Sequence, residues 1–338
     1  MAKVSARVRV SGGLAGEELD LTNGGTTKLN VSVTEVDATG HAGHIKVDAS
    51  AASAPAISIT ASASTTAHTI TGTGNADTFT ITGATGNQEA VTGGAGSDVL
   101  NITLDSTFTN GTSIQGVETI YAVIEAGEDV STGTNGFTHA DVDFVNLTGG
   151  NSLSTLTMGG LVTGLQKFDA SGFGGNVVLS LAGNDIFDST VEVLGGALTT
   201  DSVAANYSAT ATYTPKTTGV EILNITNAST NAPILSLAST SGVTKVNVTN
   251  SQAATFAVTG ITTETVDIIA AANAGSVTQL VLANATGTSD SISIELSANP
   301  TAGAKIKLDD IETINIKVDA NASYDLSAIA MTTAAKTT

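Results

Sequence analysis

Apolar and polar residues alternate in short runs along most of the chain, and the runs recur. The tightest form is apolar, Asn, apolar, Thr. It appears as Leu100-Asn101-Ile102-Thr103, Val145-Asn146-Leu147-Thr148, Leu223-Asn224-Ile225-Thr226 and Val246-Asn247-Val248-Thr249. Looser copies centre on Asp169, Asp267, Ser293 and Asn315, while Ser58, Thr80, Tyr121 and Glu192 fill the series. Successive centres are 20 to 26 residues apart, with one step of 32. Period-two alternation sends one side of each run inward and the other to solvent, which predicts β-strands. A Gly- or Asp-led turn precedes many copies, as in Gly116-Val117-Glu118, Gly219-Val220-Glu221, Gly242-Val243-Thr244 and Asp310-Ile311-Glu312. Glycine there permits the corner at which the chain changes direction.

A repeat of this length cannot bury its apolar side alone, so stacked copies must supply the core. The pattern predicts an all-β fold, a parallel β-solenoid (β-helix) with about 20–26 residues per coil, preceded by a short N-terminal β segment. Corresponding residues of stacked coils approach to about 4.8 Å. The repeated polar position is therefore expected to form a ladder of Asn, Asp and Ser along one face. Paired β-sandwiches, whose strands also come at regular spacing, are the competing architecture. Residues 1–50 depart from the repeat and hold both arginines, Arg7 and Arg9. They read as a β cap or intersubunit segment protecting an open edge. Residues 51–338 read as solenoid repeats. The 32-residue step and Pro215 point to an inserted loop and a subdomain joint near 200–218.

Composition supports this architecture. Of 338 residues only 4% are aromatic and 13% charged, with no Trp and no Cys. The abundant Thr, Ser, Asn, Gly and Val are weak helix formers, so long helices are not expected. No apolar run reaches the length of a membrane-spanning helix. The formal net charge of −19 repels nucleic acid, whose binding depends on neutralising phosphates, and favours cations. The opening MAKVSARVRVSGG lacks the apolar stretch of a secretory signal. Export is expected through a C-terminal signal, or release by lysis as for a phage structural protein.

One segment carries metal chemistry. Gly93-Gly94-Ala95-Gly96-Ser97-Asp98-Val99-Leu100-Asn101 fits the calcium-binding nonapeptide G-G-x-G-x-D-x-apolar-x at each defined position. Glycines make a tight turn that exposes carbonyl oxygens, and the Asp completes an oxygen set suited to Ca²⁺. The preceding Gly72-Thr73-Gly74-Asn75-Ala76-Asp77-Thr78-Phe79 keeps Gly72 and Asp77, with Asn75 expected to adopt left-handed backbone in place of a glycine. LAGNDIFDS around Asp185 and ATGTSDSIS around Asp290 are degenerate copies.

Through these motifs, and the GVE- and VNVT-type strands that follow, residues 70–320 resemble bacterial S-layer proteins of the RTX-like, calcium-binding β-solenoid type. The resemblance implies Ca²⁺ held at Gly93, Gly94, Gly96 and Asp98, with Gly72 and Asp77. It also implies a structural, self-assembling surface-layer (S-layer) subunit that is extracellular at the cell surface. Its partners would be a homo-oligomer or lattice of identical subunits and cell-surface polysaccharide. The chain departs from the family in holding one intact nonapeptide, with Asp98 lying 21 residues after Asp77 instead of in a nine-residue tandem. Plain glycine turns between strands are the alternative for the loop. A phage virion decoration or fibre protein, or a surface adhesin, is the alternative for the whole.

An enzyme is not expected. Parallel β-helix lyases cluster carboxylates with a basic partner, whereas here the arginines lie at positions 7 and 9 and lysines are few. His41 and His44 have a plausible ligand spacing but no partner nearby. Together with His68 and His139, they are expected to be solvated loop residues. Sequons such as those at Asn101, Asn146 and Asn224 follow from the strand motif itself.

Overall fold

A computed structural model of the chain describes residues 6–12, 18–20, 33–41, 44–50, 56–62, 68–84, 90–104, 113–131, 142–159, 164–262, 264–271, 275–286, 289–297, 304–309, 311–318 and 329–332. His139 and Asp310 lie outside them. The protein is an all-β parallel β-solenoid, and every strand pairing among the described residues is parallel. Antiparallel sandwiches are thereby excluded. No helix among these residues is long and apolar enough to cross a membrane.

The chain divides into two compact units, residues 1–180 with 196–198 and residues 181–195 with 199–338. In the first unit one sheet stacks, in order, Ala6–Gly12, Val33–His41, Ser58–Ser62, Thr78–Ala84, Val99–Leu104, Thr119–Ile124, Phe144–Gly149 and Lys167–Phe173. The strands between them in sequence form a second sheet, from Glu18–Asp20 to Ser113–Gln115, and a third that begins at Asp129–Ser131. The chain thus alternates between sheets, coil after coil. Val36, Ile59, Phe79, Leu100, Ile120 and Val145 fall in register and are fully buried. Each such side chain contributes about 1.5–3 kcal/mol by leaving water. The strand Ala6–Gly12 belongs to this same stack, with Arg7 opposite Glu35 and Arg9 opposite Asp37.

The second unit distributes its strands over three sheets. The longest stacks Ser202–Tyr207, Ile222–Asn227, Lys245–Asn250, Thr265–Ala271, Ser291–Leu296 and Thr313–Val318. Its outward side carries an amide contact, Asn247 Nδ2 to Asn224 Oδ1 at 2.7 Å, and then ions. Lys245 reaches Glu295 at 2.8 Å and Asp267 at 3.2 Å, and Lys317 reaches Glu295 at 2.6 Å. Inside, Asn227 and Asn250 are fully buried and joined by a 3.0 Å amide bond.

The expected polar ladder exists, but as two ladders. Thr80, Asn101, Tyr121, Asn146 and Asp169 are in register in the first unit. Asn224, Asn247 and Asp267 are in register in a different sheet. Glu192 pairs with Lys216, and Asn224 with Ala204. The 32-residue step is therefore a change of sheet and not an insertion. Ser58 sits opposite Thr78, so Thr60 holds its place in the column, and Ser293 faces Thr265 instead of Asp267.

Candidate cation-binding corner

Where a coil turns into the long sheet, both main-chain polar groups of the corner residue point to the next coil. In a regular ladder each would meet a backbone partner, and a buried N–H left without one costs about 1–3 kcal/mol. The C=O of Asp98 receives the Thr119 N–H at 3.1 Å, while its N–H donates to the Glu118 carboxylate at 2.6 Å. The same exchange recurs one coil back. Asp77 C=O takes the Val99 N–H at 2.9 Å, and Asp77 N–H donates to Asp98 Oδ1 at 2.6 Å. Before that, Ile57 N–H donates to Asp77 Oδ1 at 2.7 Å. In the second unit Asp201 N–H donates to Glu221 and Asp290 N–H to Glu312, both at 3.0 Å. Acidic residues at the corners thus close the preceding coil.

Asp77 and Asp98 are both fully buried, yet their loops turn differently. In the loop from Gly72 to Asp77, Thr73 closes the turn, its N–H donating to Asp77 Oδ2 at 2.5 Å and its hydroxyl at 3.0 Å. Asn75 N–H in turn donates to the Thr73 hydroxyl at 3.1 Å. Asn75 needs no left-handed backbone. Asp185 is the one non-glycine residue with positive φ among those described. In the loop from Gly93 to Asp98, Gly94 stands where Thr73 did, and Gly94 and Gly96 turn the chain at φ 117° and 124°, a region open chiefly to glycine. No hydroxyl is available, and Asp98 Oδ2 is buried with no hydrogen-bond partner. A Cβ on Gly93 would collide with both this carboxylate and the Gly116 carbonyl oxygen. Two oxygens therefore converge where Gly93 lacks a side chain. Burial pushes the Asp98 carboxyl up to about 6. The Asp77 N–H bond opposes that rise, and the charges of Asp77 and Glu118 add to it.

These features bear on a metal differently. Asp77 already accepts from Ile57 and Thr73, whereas Asp98 keeps one oxygen over. An orphaned buried carboxylate oxygen beside a main-chain carbonyl suits a hard cation such as Ca²⁺. No group of three or more His, Cys, Asp or Glu side chains placed to hold a metal occurs among the described residues. Any cation here would draw most of its ligands from the backbone.

Sequence reasoning passed over the acceptor glutamates and the corner at Asp201. Gly195 lies against the Gly219 carbonyl and the Asp201 carboxylate, as Gly93 does against Gly116 and Asp98. Asp201 precedes Glu221 by 20 residues, and Asp98 precedes Glu118 by 20. The loop Gly195-Gly196-Ala197-Leu198-Thr199-Thr200-Asp201 is one residue longer than its counterpart, which hides it from a fixed motif. The constant spacing from Asp to the following Gly-Val-Glu was the usable signal.

Two histidines differ from the solvated expectation. His41 and His68 are buried, at 6% and 0% exposure. His68 Nδ1 accepts the Ile45 N–H at 3.0 Å and Nε2 lies 2.8 Å from Ser62 O. A neutral imidazole donates from one nitrogen and accepts at the other, so the ring splices two main-chain segments that solvation would have left apart. Of the degenerate copies, Asp185 accepts from the main-chain N–H and the hydroxyl of Ser208, while Asp290 repeats the corner exchange. Comparison of the chain with family models, with curated proteins and with solved structures gave no match.

Proposed function

We propose that the chain is a structural, self-assembling subunit of an extracellular surface layer, ordered by calcium at the Asp98 corner. The observation that carries this reading is the use made of the carboxylates. Asp77, Asp98, Glu118, Glu221 and Glu312 accept main-chain N–H groups of the preceding coil, which is a scaffold's use of an acid and not a catalyst's. The buried, unpartnered Asp98 Oδ2 supports a calcium role. The cation would bind Asp98 with backbone oxygens of the glycine corner formed by Gly93, Gly94 and Gly96. Asp77 and Gly72 would contribute by holding Asp98 in place. The test is electron microscopy of the purified full chain with calcium and with EGTA. Ordered sheets or filaments that disperse on chelation are expected. Discrete particles indifferent to calcium would overturn the reading, and a trimeric particle would favour a virion fibre or appendage.

A further inference from the structure

The outward side of the first unit's long sheet has an unusual charge pattern for a chain of net charge −19. Five consecutive strands, within Ser58–Ser62, Thr78–Ala84, Val99–Leu104, Thr119–Ile124 and Phe144–Gly149, each present three outward positions. At those positions stand Ser, Thr, Asn, Val, Phe and Tyr, and no Asp, Glu, Lys, Arg or His. Charge resumes on both sides. Glu35 and Asp37 are in register with Ser58 and Thr60, and Lys167 and Asp169 with Phe144 and Asn146. Within the uncharged block Tyr121 and Val123 are 42% and 43% exposed. The Tyr121 ring is braced edge-on by Phe144 at 6.1 Å between centroids.

We propose that this uncharged face is where a second copy of the chain docks. The inference rests on the self-assembling reading above and names its contact surface. Two copies of one strongly acidic chain repel, and they approach at least cost where neither presents charge. A partly exposed Tyr amid hydroxyls and amides, rimmed by ions, has the anatomy of a contact with an uncharged centre and a polar rim. Strands about 4.8 Å apart with residues rising about 3.3 Å give a patch of about 400 Å² per copy. A stable interface uses about 800 Å² per partner. This contact is therefore weak singly and suited to a lattice, where several such contacts act together.

Sedimentation velocity of the full chain, with calcium, at low and high salt tests the proposal. The wild type should associate, and more strongly as salt screens the global repulsion. Tyr121→Glu and Thr80→Glu should each weaken association by at least about tenfold. Tyr121→Phe, and Thr249→Glu on an outward position of the other unit, should leave it unchanged. Circular dichroism and melting establish that each variant is folded. If folded Tyr121→Glu and Thr80→Glu associate like the wild type, assembly stands but this face is not its surface. If the wild type stays monomeric throughout, the self-assembling reading fails and the proposal with it. A monomer that binds neutral polysaccharide through Tyr121 would overturn it in favour of a glycan platform.

Discussion

Glu118 accepts the main-chain N–H of Asp98 at 2.6 Å from 20 residues further along the chain. The side chain substitutes for the carbonyl that a straight strand would have offered, and it does so where the coil bends. Glu118→Ala leaves a buried donor unpaired and should cost about 1–3 kcal/mol. Glu118→Gln keeps an acceptor oxygen and should recover most of the loss. Glu221→Ala should behave alike in the second unit, where burial raises the Glu221 carboxyl, the Asp201 N–H bond lowers it and the Asp201 charge raises it. Urea unfolding of the four proteins measures this. Equal stability of Glu118→Ala and wild type would show that solvent reaches the N–H.

The glycines divide into essential and permissive. Gly93→Ala and Gly195→Ala drive a methyl onto the carbonyl oxygens of Gly116 and Gly219. Each should cost at least about 2 kcal/mol, because the obstructing atoms are backbone. Gly74 has open space where a Cβ would lie, so Gly74→Ala should stay within about 0.5 kcal/mol of wild type. Melting temperatures of the three variants decide. A tolerated Gly93→Ala would mean that the coils are free to separate at this corner.

The architecture was legible because a solenoid repeats its alternation at a fixed interval. Even the weak copy at Tyr121 falls between Asn101 and Asn146 in register. The distribution of copies among sheets was not legible. A strand reads as inward–outward alternation whichever side of the coil it occupies, so the run around Asn224 looks like the run around Asn101 although they lie in different sheets. The corner acids were hidden for another reason. Asp77 and Asp98 satisfy the same motif position, and their difference comes from Thr73 against Gly94, the second glycine of the motif, where the substituted hydroxyl partners Asp77 and the glycine leaves Asp98 without one.

Asp185 holds a loop of the second unit against strain. At φ 67° it pays a backbone penalty, offset by bonds from Ser208 N–H at 2.7 Å, the Ser208 hydroxyl at 2.5 Å, Ala209 N–H at 3.2 Å and the Tyr213 hydroxyl. Tyr213 in turn stacks on buried Tyr207 at 3.8 Å. Burial opposes ionisation of Asp185, yet the bonds from Ser208, Tyr213 and Ala209 prevail and hold its pKa below the usual carboxylate value. Such a group stabilises above its unfolded pKa and loses that contribution as pH falls through its folded one. Asp185→Ala should cost at least about 3 kcal/mol at pH 7. Asp185→Gly should recover the backbone part, about 1 kcal/mol. The penalty of Asp185→Ala should shrink as pH falls below the ordinary carboxylate range. A pH-independent penalty would assign the effect to backbone strain alone.

Asp98 carries the opposite dependence. Its carboxyl is raised from 3.8 to about 6, first by burial. Between those values the folded chain binds more protons than the unfolded one, so stability falls as pH rises through that window. The loss is on the order of 3 kcal/mol and is complete above about pH 6. Asp98→Asn keeps an acceptor for the Asp77 N–H and removes the buried charge. Without calcium the variant should therefore match wild type near pH 4 and exceed it at pH 8. Calcium bound as proposed would supply the positive counter-charge that the buried Asp98 carboxylate lacks, so it should raise the wild-type melting temperature at pH 8 and do little at pH 4 or in Asp98→Asn. Calorimetric melts over pH with calcium and with EGTA measure both effects. A calcium-induced rise of equal size in wild type and Asp98→Asn would place the cation elsewhere.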